Sequence, residues 1–386
     1  VRGHRQLCVS IVLSLGIGLG LIGRSAEPSS GQTPQPPPNL PAQLKLKDST
    51  KDVFLVGRKG SKVLYCFSDA SRSVLALEAN DIQRTRIRLE YDTAALDKAV
   101  GTQDWGAASS MLTRIVWPAL PFLDLKGNNA TPMALRAGLY LMRAAMTKTS
   151  GAFTPEQARA ADIDYRTACT ILATVGKAGW YDRADEATLR AVICLVLLDR
   201  PEDAKKELDR IAEPGTTDET YGLYWLSRAH LSAAGEESLA AMDQVSLAVD
   251  FDTHDIDTFP DALLLSAKCY EKLEDWYRAR DVYYELGMLF SKTYWGEIAT
   301  NRLKHVMAQE LTETPEEARI RNVFFGVEED MNVKVKEFLS GGADKKGDEK
   351  GRKPAEKDTG ADKGKPTGQA PAKDDNAQGN VAPEKK

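Results

Sequence analysis

One spacing of small and apolar side chains recurs along this chain and limits its fold more than any other feature. Counted from Ala267, the positions at intervals of 3, 12, 16 and 19 are Tyr270, Ala279, Tyr283 and Leu286. From Val192 the same intervals give Leu195, Ala204, Leu208 and Ile211, and from Leu96 they give Ala99, Ala108, Leu112 and Ile115. A weaker copy runs from Ala229 through Ser232, Ala241, Val245 and Ala248. Residues three or four apart share one face of a helix, so each copy describes two helices joined by a short polar break. An alanine early in the second helix lets the two axes approach, and the larger residue four later fills the groove beside it. One such hairpin cannot bury its own apolar face, so a chain that repeats it must stack the copies.

The breaks between paired helices carry a second signature. Asp104-Trp105 and Asp275-Trp276 fall at the same point of the turn, and Cys194 and Cys269 share a register. Helical periodicity predicts runs over 93–102, 104–118, 131–147, 155–176, 185–198, 201–212, 217–234, 237–249, 258–272, 275–290, 293–309 and 315–339. "TPEQ" at 154–157 and "TPEE" at 314–317 each read as a Thr cap, a Pro at the first helical position and a capping-box acceptor. "TTDE" at 216–219 places Thr216 and Glu219 in the same relation.

Residues 51–91 have period two instead. Runs at 53–56, 62–67, 73–79 and 85–91 predict four short antiparallel strands, with "GRKGS" (57–61) supplying two glycines for the first turn. In the last run Thr85, Ile87, Leu89 and Tyr91 point one way, while Arg84, Arg86 and Arg88 form a basic stripe on the other. So small a sheet is expected to lean on the helices that follow.

The helical pattern resembles the tetratricopeptide repeat over about 89–120 and 185–309, with residues 121–184 helical but off the pattern. It is most similar to the repeat arrays of bacterial envelope proteins, of the cell-division coordinator or outer-membrane assembly type. The resemblance implies a mainly α fold, a solenoid of helix pairs preceded by the β module. It also implies no catalysis, and a protein or peptide partner held in the concave groove. Carried over position by position, that groove falls on Glu186, Leu189 and Ile193, then Leu223, Leu226 and His230, then Leu264, Lys268, Glu271 and Lys272. Copies at 185, 222 and 260 are spaced by 37 and 38 residues instead of 34, and the family's tight-packing glycine is missing. The β module resembles small SH3- or Sm-like barrels in shape alone.

The ends read differently. Residues 1–26 join Arg2 and Arg5 to an uncharged stretch from Leu7 to Gly23 and then small residues, which predicts a secretory signal peptide. An uncleaved leader would instead serve as an N-terminal anchor. Residues 27–50 read as a proline-rich linker, 92–340 as the repeat domain and 341–386 as a disordered charged tail. The expected location is therefore the periplasm or cell envelope of a bacterium.

The whole chain has 51 basic and 56 acidic residues. Three of the arginines lie in 1–26, leaving 48 and a net charge of −8, a poor balance for binding nucleic acid. The alternative reading is an anionic polymer, polysaccharide or nucleic acid, held on the arginine stripe. No catalytic, cofactor or metal residues are assigned. His4, His230, His254 and His305 are dispersed, and "DFDTHDIDT" around His254 lacks the glycine that a calcium loop requires. Asn129 begins a glycosylation sequon by pattern. The four cysteines beyond the leader read as small hydrophobes, with a Cys169–Cys194 bridge open to an oxidising compartment.

Overall fold

The computed structural model describes residues 39–69, 73–149, 154–251, 257–308 and 331–340. The leader, the charged tail, the "TPEE" segment and the loop holding His254 lie outside the described residues. The chain divides into two units, Val1–Met331 and Asn332–Lys386. The second contributes all but the first residue of a nine-residue helix, Met331–Leu339, which buries Val335.

The first unit is mainly helical, with a small sheet ahead of the helices. Five strands, β1 (Leu40–Lys45), β2 (Thr50–Lys59), β3 (Lys62–Cys66), β4 (Leu75–Glu78) and β5 (Arg84–Ile87), pair antiparallel in the order β4-β3-β2-β1-β5. The expectation of four strands therefore needs correcting, because β1 lies inside the stretch assigned to the linker. Pro41 misled the reading, since proline cannot donate to a ladder. Its carbonyl accepts from the N–H of Arg88, just past β5, at 2.9 Å, and the ladder with β5 itself begins at Ala42. Of the two turn glycines only Gly60 has positive φ, at 60°, whereas Gly57 lies within β2 at a bulge after Leu55. The alternation in β5 is as expected, with Thr85 and Ile87 buried and Arg84 and Arg86 exposed.

The outer edge of β5 is closed by the segment ahead of the third helix. Thr85 donates its N–H to the Lys126 carbonyl at 2.9 Å. The Asn129 amide accepts from the Ile87 N–H at 2.7 Å and donates to its carbonyl at 3.0 Å, as a neighbouring strand would. Gly127 makes this approach feasible: its φ is +64°, and a Cβ there would stand 2.9 Å from Arg84 Cγ. Arg58 adds a two-pronged bond to Asp124 at 3.0 and 3.2 Å.

Among the described residues, eleven α-helices follow in the first unit. They are α1 (Thr93–Gly101), α2 (Trp105–Val116), α3 (Ala130–Lys148), α4 (Pro155–Val175), α5 (Ala184–Leu197) and α6 (Pro201–Leu208). After them come α7 (Tyr221–Ala234), α8 (Ser238–Phe251), α9 (Thr258–Lys272), α10 (Trp276–Leu289) and α11 (Tyr294–Met307). Helix α12 is the Met331–Leu339 segment. Each helix of the first unit packs chiefly on its neighbours in sequence. Thr154 and Gln157 form the capping box expected for α4. The cap read at Thr216 does not form, because α7 begins only at Tyr221.

The recurring spacing has a structural counterpart in backbone geometry. Gln103, Asp199, Glu236 and Glu274 are the only non-glycine residues with positive φ among the described residues, at 56°, 56°, 64° and 60°. Each stands seven positions after the first residue of a sequence copy and five before its alanine. At all four turns the N–H of the next residue reaches back to the carbonyl five before it, Ala99, Leu195, Ser232 or Tyr270, at 2.8–2.9 Å. A second bond from the left-handed residue itself completes the Schellman closure of the helix end. Asp104 and Asp275 then cap the next helix through the N–H groups of Ala107 and Arg278. The four alanines, Ala108, Ala204, Ala241 and Ala279, have no exposed surface. Four hairpins thus share one construction.

A left-handed conformation costs an L-residue about 1–2 kcal/mol, and glycine escapes that cost but loses more chain entropy. Glu274→Gly is therefore expected to raise stability by about 0.5–1 kcal/mol, and Glu274→Val to lower it, in the midpoint of urea unfolding.

Candidate binding groove

The array of helices bends until its beginning meets its end. Gln103, in the α1–α2 turn, donates to the Lys292 carbonyl at 2.8 Å and accepts from the Tyr294 N–H at 3.1 Å, just where α11 begins. The Trp105 ring lies 6.0 Å from that of Tyr294 and 5.4 Å from that of Tyr140. The Arg143 guanidinium sits 4.7 Å over the Trp105 ring and forms a nearly buried ion pair with Asp257, ahead of α9. Tyr294 donates its hydroxyl to the same carboxylate at 3.2 Å. Burial, with Asp257 beside it, pushes that phenol well above the usual tyrosine range, so it stays a donor.

This closure brings distant helices around one concavity of about 550 Å³. Its walls take Met146 from α3, Thr149 at the cap of α3, Tyr165 from α4 and Leu197 from the end of α5. Helix α7 adds His230; α9 adds Asp261, Leu264, Lys268, Glu271 and Lys272; Trp276, Ile298 and Arg302 come from α10 and α11. Met146 and Thr149 thus face a cavity shared with Ile298 and Arg302, about 150 residues further along.

Of the residues assigned to a groove from sequence, His230, Leu264, Lys268, Glu271 and Lys272 are brought together here. Leu189, Ile193, Leu223 and Leu226 are fully buried between helices and form core instead. Glu186 is held by Arg183, three residues before it. Met146, Tyr165, Ile298 and Arg302 escaped the sequence reading, because no spacing rule links residues joined by closure of the array; Asp261, one turn before Leu264 on α9, was missed although helical spacing places it beside that residue.

The polar groups of the cavity are mostly paired. His230 Nε2 lies 3.3 Å from Asp261 Oδ2, and no hydroxyl or thiol is hydrogen-bonded to His230 among the described residues. Burial alone would raise the Asp261 carboxyl, but the charges of His230, Lys268 and Arg190 outweigh it and hold the group below the ordinary carboxylate range. Glu271 is gripped by Arg302 and accepts the Tyr283 hydroxyl. Lys272 donates to the Ala233 carbonyl at 2.7 Å. Lys268 has neither hydrogen bond nor close ion pair among the described residues. Lys268 is exposed, although it lines the concavity. Desolvation by the protein atoms around it, helped by Arg302, outweighs Asp261 and Glu271 and holds its ammonium below the usual lysine range.

The arginine stripe lies elsewhere, on the exposed face of the sheet. Gln43 and Lys45 of β1 stand opposite Arg86 and Arg84. Arg88, just past β5, pairs with Asp52 at 3.5 Å. A shallow hollow of about 530 Å³ beside it takes Arg86 and Arg88 together with Asp52 and Glu90, so two carboxylates offset its two cations. Cys66, Cys194 and Cys269 are buried and Cys169 half-buried, all as free thiols.

These features define a helical-repeat protein whose inner face carries a charged and apolar cavity. No protein-family model matches the chain, and no curated protein or solved structure is detectably similar to it.

Two measurements probe this geometry. Removing one member of a buried ion pair costs about 3–5 kcal/mol, so Arg143→Met is expected to lower the urea midpoint steeply, while Arg200→Met, at an exposed pair, shifts it little. Asp261 titrates lower in the folded protein than in the unfolded chain. It therefore adds stability that is complete above about pH 4 and is lost as pH falls through its folded value. Asp261→Asn should flatten that part of the acid-unfolding curve.

Proposed function

We propose that this chain is an exported, non-enzymatic adaptor of the tetratricopeptide-repeat type, binding a protein or peptide partner through the inner face of its array. The cavity of about 550 Å³ carries this reading, because six helices of the array and the start of α10 contribute to one recess. It combines an apolar floor with a few polar groups that orient a ligand, the usual composition of a peptide or small-molecule site. The four equivalent hairpins support the repeat assignment, though their spacing departs from 34 residues. Export to a bacterial envelope rests on the leader-like residues 1–26. Among the described residues no helix is long and apolar enough to cross a membrane. Binding of an anionic polymer through Arg84, Arg86 and Arg88 is the weaker reading, since Asp52 and Glu90 share that surface.

Site-specific photo-cross-linking in cells tests the proposal. A probe replacing Trp276, at the cavity, is expected to give one discrete adduct that weakens with Lys268→Glu in the same chain. A probe replacing Lys206, on the exposed side of α6, should give none. Equal adducts from both positions, or none from 276, would argue against the inner face as the binding surface.

A further inference from the structure

The charges of the cavity do not cancel locally. Asp261 faces His230, Glu271 is occupied by Arg302 and Tyr283, and Lys272 is bound to a backbone carbonyl. Lys268, one turn from Lys272 on the same helix, has no such partner among the described residues. Asp261 and Glu271 attract it through space, but each already faces another group of the cavity, His230 and Arg302. Leu264, Ile298, Met146 and Leu197 line the same recess. One unmatched cation above an apolar floor is complementary to one negative charge carried on an apolar group.

The geometry also limits the kind of anion. A phosphate dianion is usually met by a free arginine fork or several converging donors. Here Arg302 is already committed to Glu271, and Lys268 offers one ammonium. We propose that this cavity binds a single carboxylate on an apolar body, with the head at Lys268 and the body against Leu264 and Ile298. The proposal rests on the reading of the inner face as a binding surface and names its ligand chemistry. Because α3 and α11 both contribute to the walls, the site is complete only when the array is closed. Gln103, which holds α11 in place without lining the cavity, is a positioning residue for it.

Calorimetric titration of the purified full chain tests this, using octanoate, octan-1-ol and octylammonium as probes. A second pair, an apolar hexapeptide with a free C-terminus and its C-terminal amide, distinguishes a chain end from a free acid. Octanoate is expected to bind at least tenfold more tightly than octanol, the margin of one charge-assisted contact, and octylammonium more weakly than either. Lys268→Met should erase the octanoate margin and leave octanol binding in place, while Lys268→Arg retains the margin and controls for folding. Gln103→Ala should weaken octanoate and octanol alike. A tenfold preference for the free-acid peptide over its amide assigns the carboxylate to a chain end; an octanoate margin alone assigns it to a small acid. Equal binding of octanoate and octanol, no binding of either, or a margin that survives Lys268→Met overturns the proposal. If the margin fails while the cross-link from position 276 persists, the ligand chemistry falls and the inner-face reading stands. If the margin holds without the cross-link, the cavity serves a small acid and the adaptor reading falls.

Discussion

Everything else in the helical array depends on the close approach of paired helices at four buried alanines. Ala108, Ala204, Ala241 and Ala279 each sit five residues past a left-handed turn residue and leave no surface exposed. A larger side chain there would push the axes apart and open voids along the seam, which interiors at crystal-like density do not tolerate. The turn sets the crossing and the alanine sets the distance. Together they let Leu112, Leu208, Val245 and Tyr283 bury against the facing helix.

Stacked units of one construction accumulate curvature, and here the curvature is enough to bring α2 and α3 against the start of α11. Aromatic rings and a nearly buried ion pair take over where sequence-neighbour packing ends. Trp105, Tyr140 and Tyr294 supply apolar area, and Arg143 lies over two of those rings while facing Asp257. A buried ion pair contributes little net stability compared with an apolar substitute, but it penalises any arrangement that separates its members. Such a contact suits a seam whose main consequence is one specific closed geometry. The cavity inherits its shape from that seam.

The sheet uses the same economy of edges. Its β5 edge is covered by Asn129 and Lys126 in place of a sixth strand, which joins the sheet to the chain entering α3. Asn129 begins a sequon by pattern, yet both ends of its amide are spent on the Ile87 backbone. A glycan there would compete with the bonds that close the edge.

Residue pattern alone determined the helical repeat, because a 3.6-residue period and a small residue at a fixed interval act within one hairpin and need no distant partner. It also marked the alternation of β5 and five of the cavity residues. The strand β1 was hidden by Pro41, although Ala42 and Leu44 alternate with Gln43 and Lys45 in the manner of a half-buried strand. Tertiary structure alone decided which predicted groove positions are core. Leu189, Ile193, Leu223 and Leu226 share a face with His230 and Leu264 in any local reading, and only the next hairpin covers them. It alone, too, placed Met146 and Tyr165 with Ile298 and Arg302. Contacts between residues more than a hundred positions apart follow from the summed rotation of every hairpin between them, a quantity that no local spacing records.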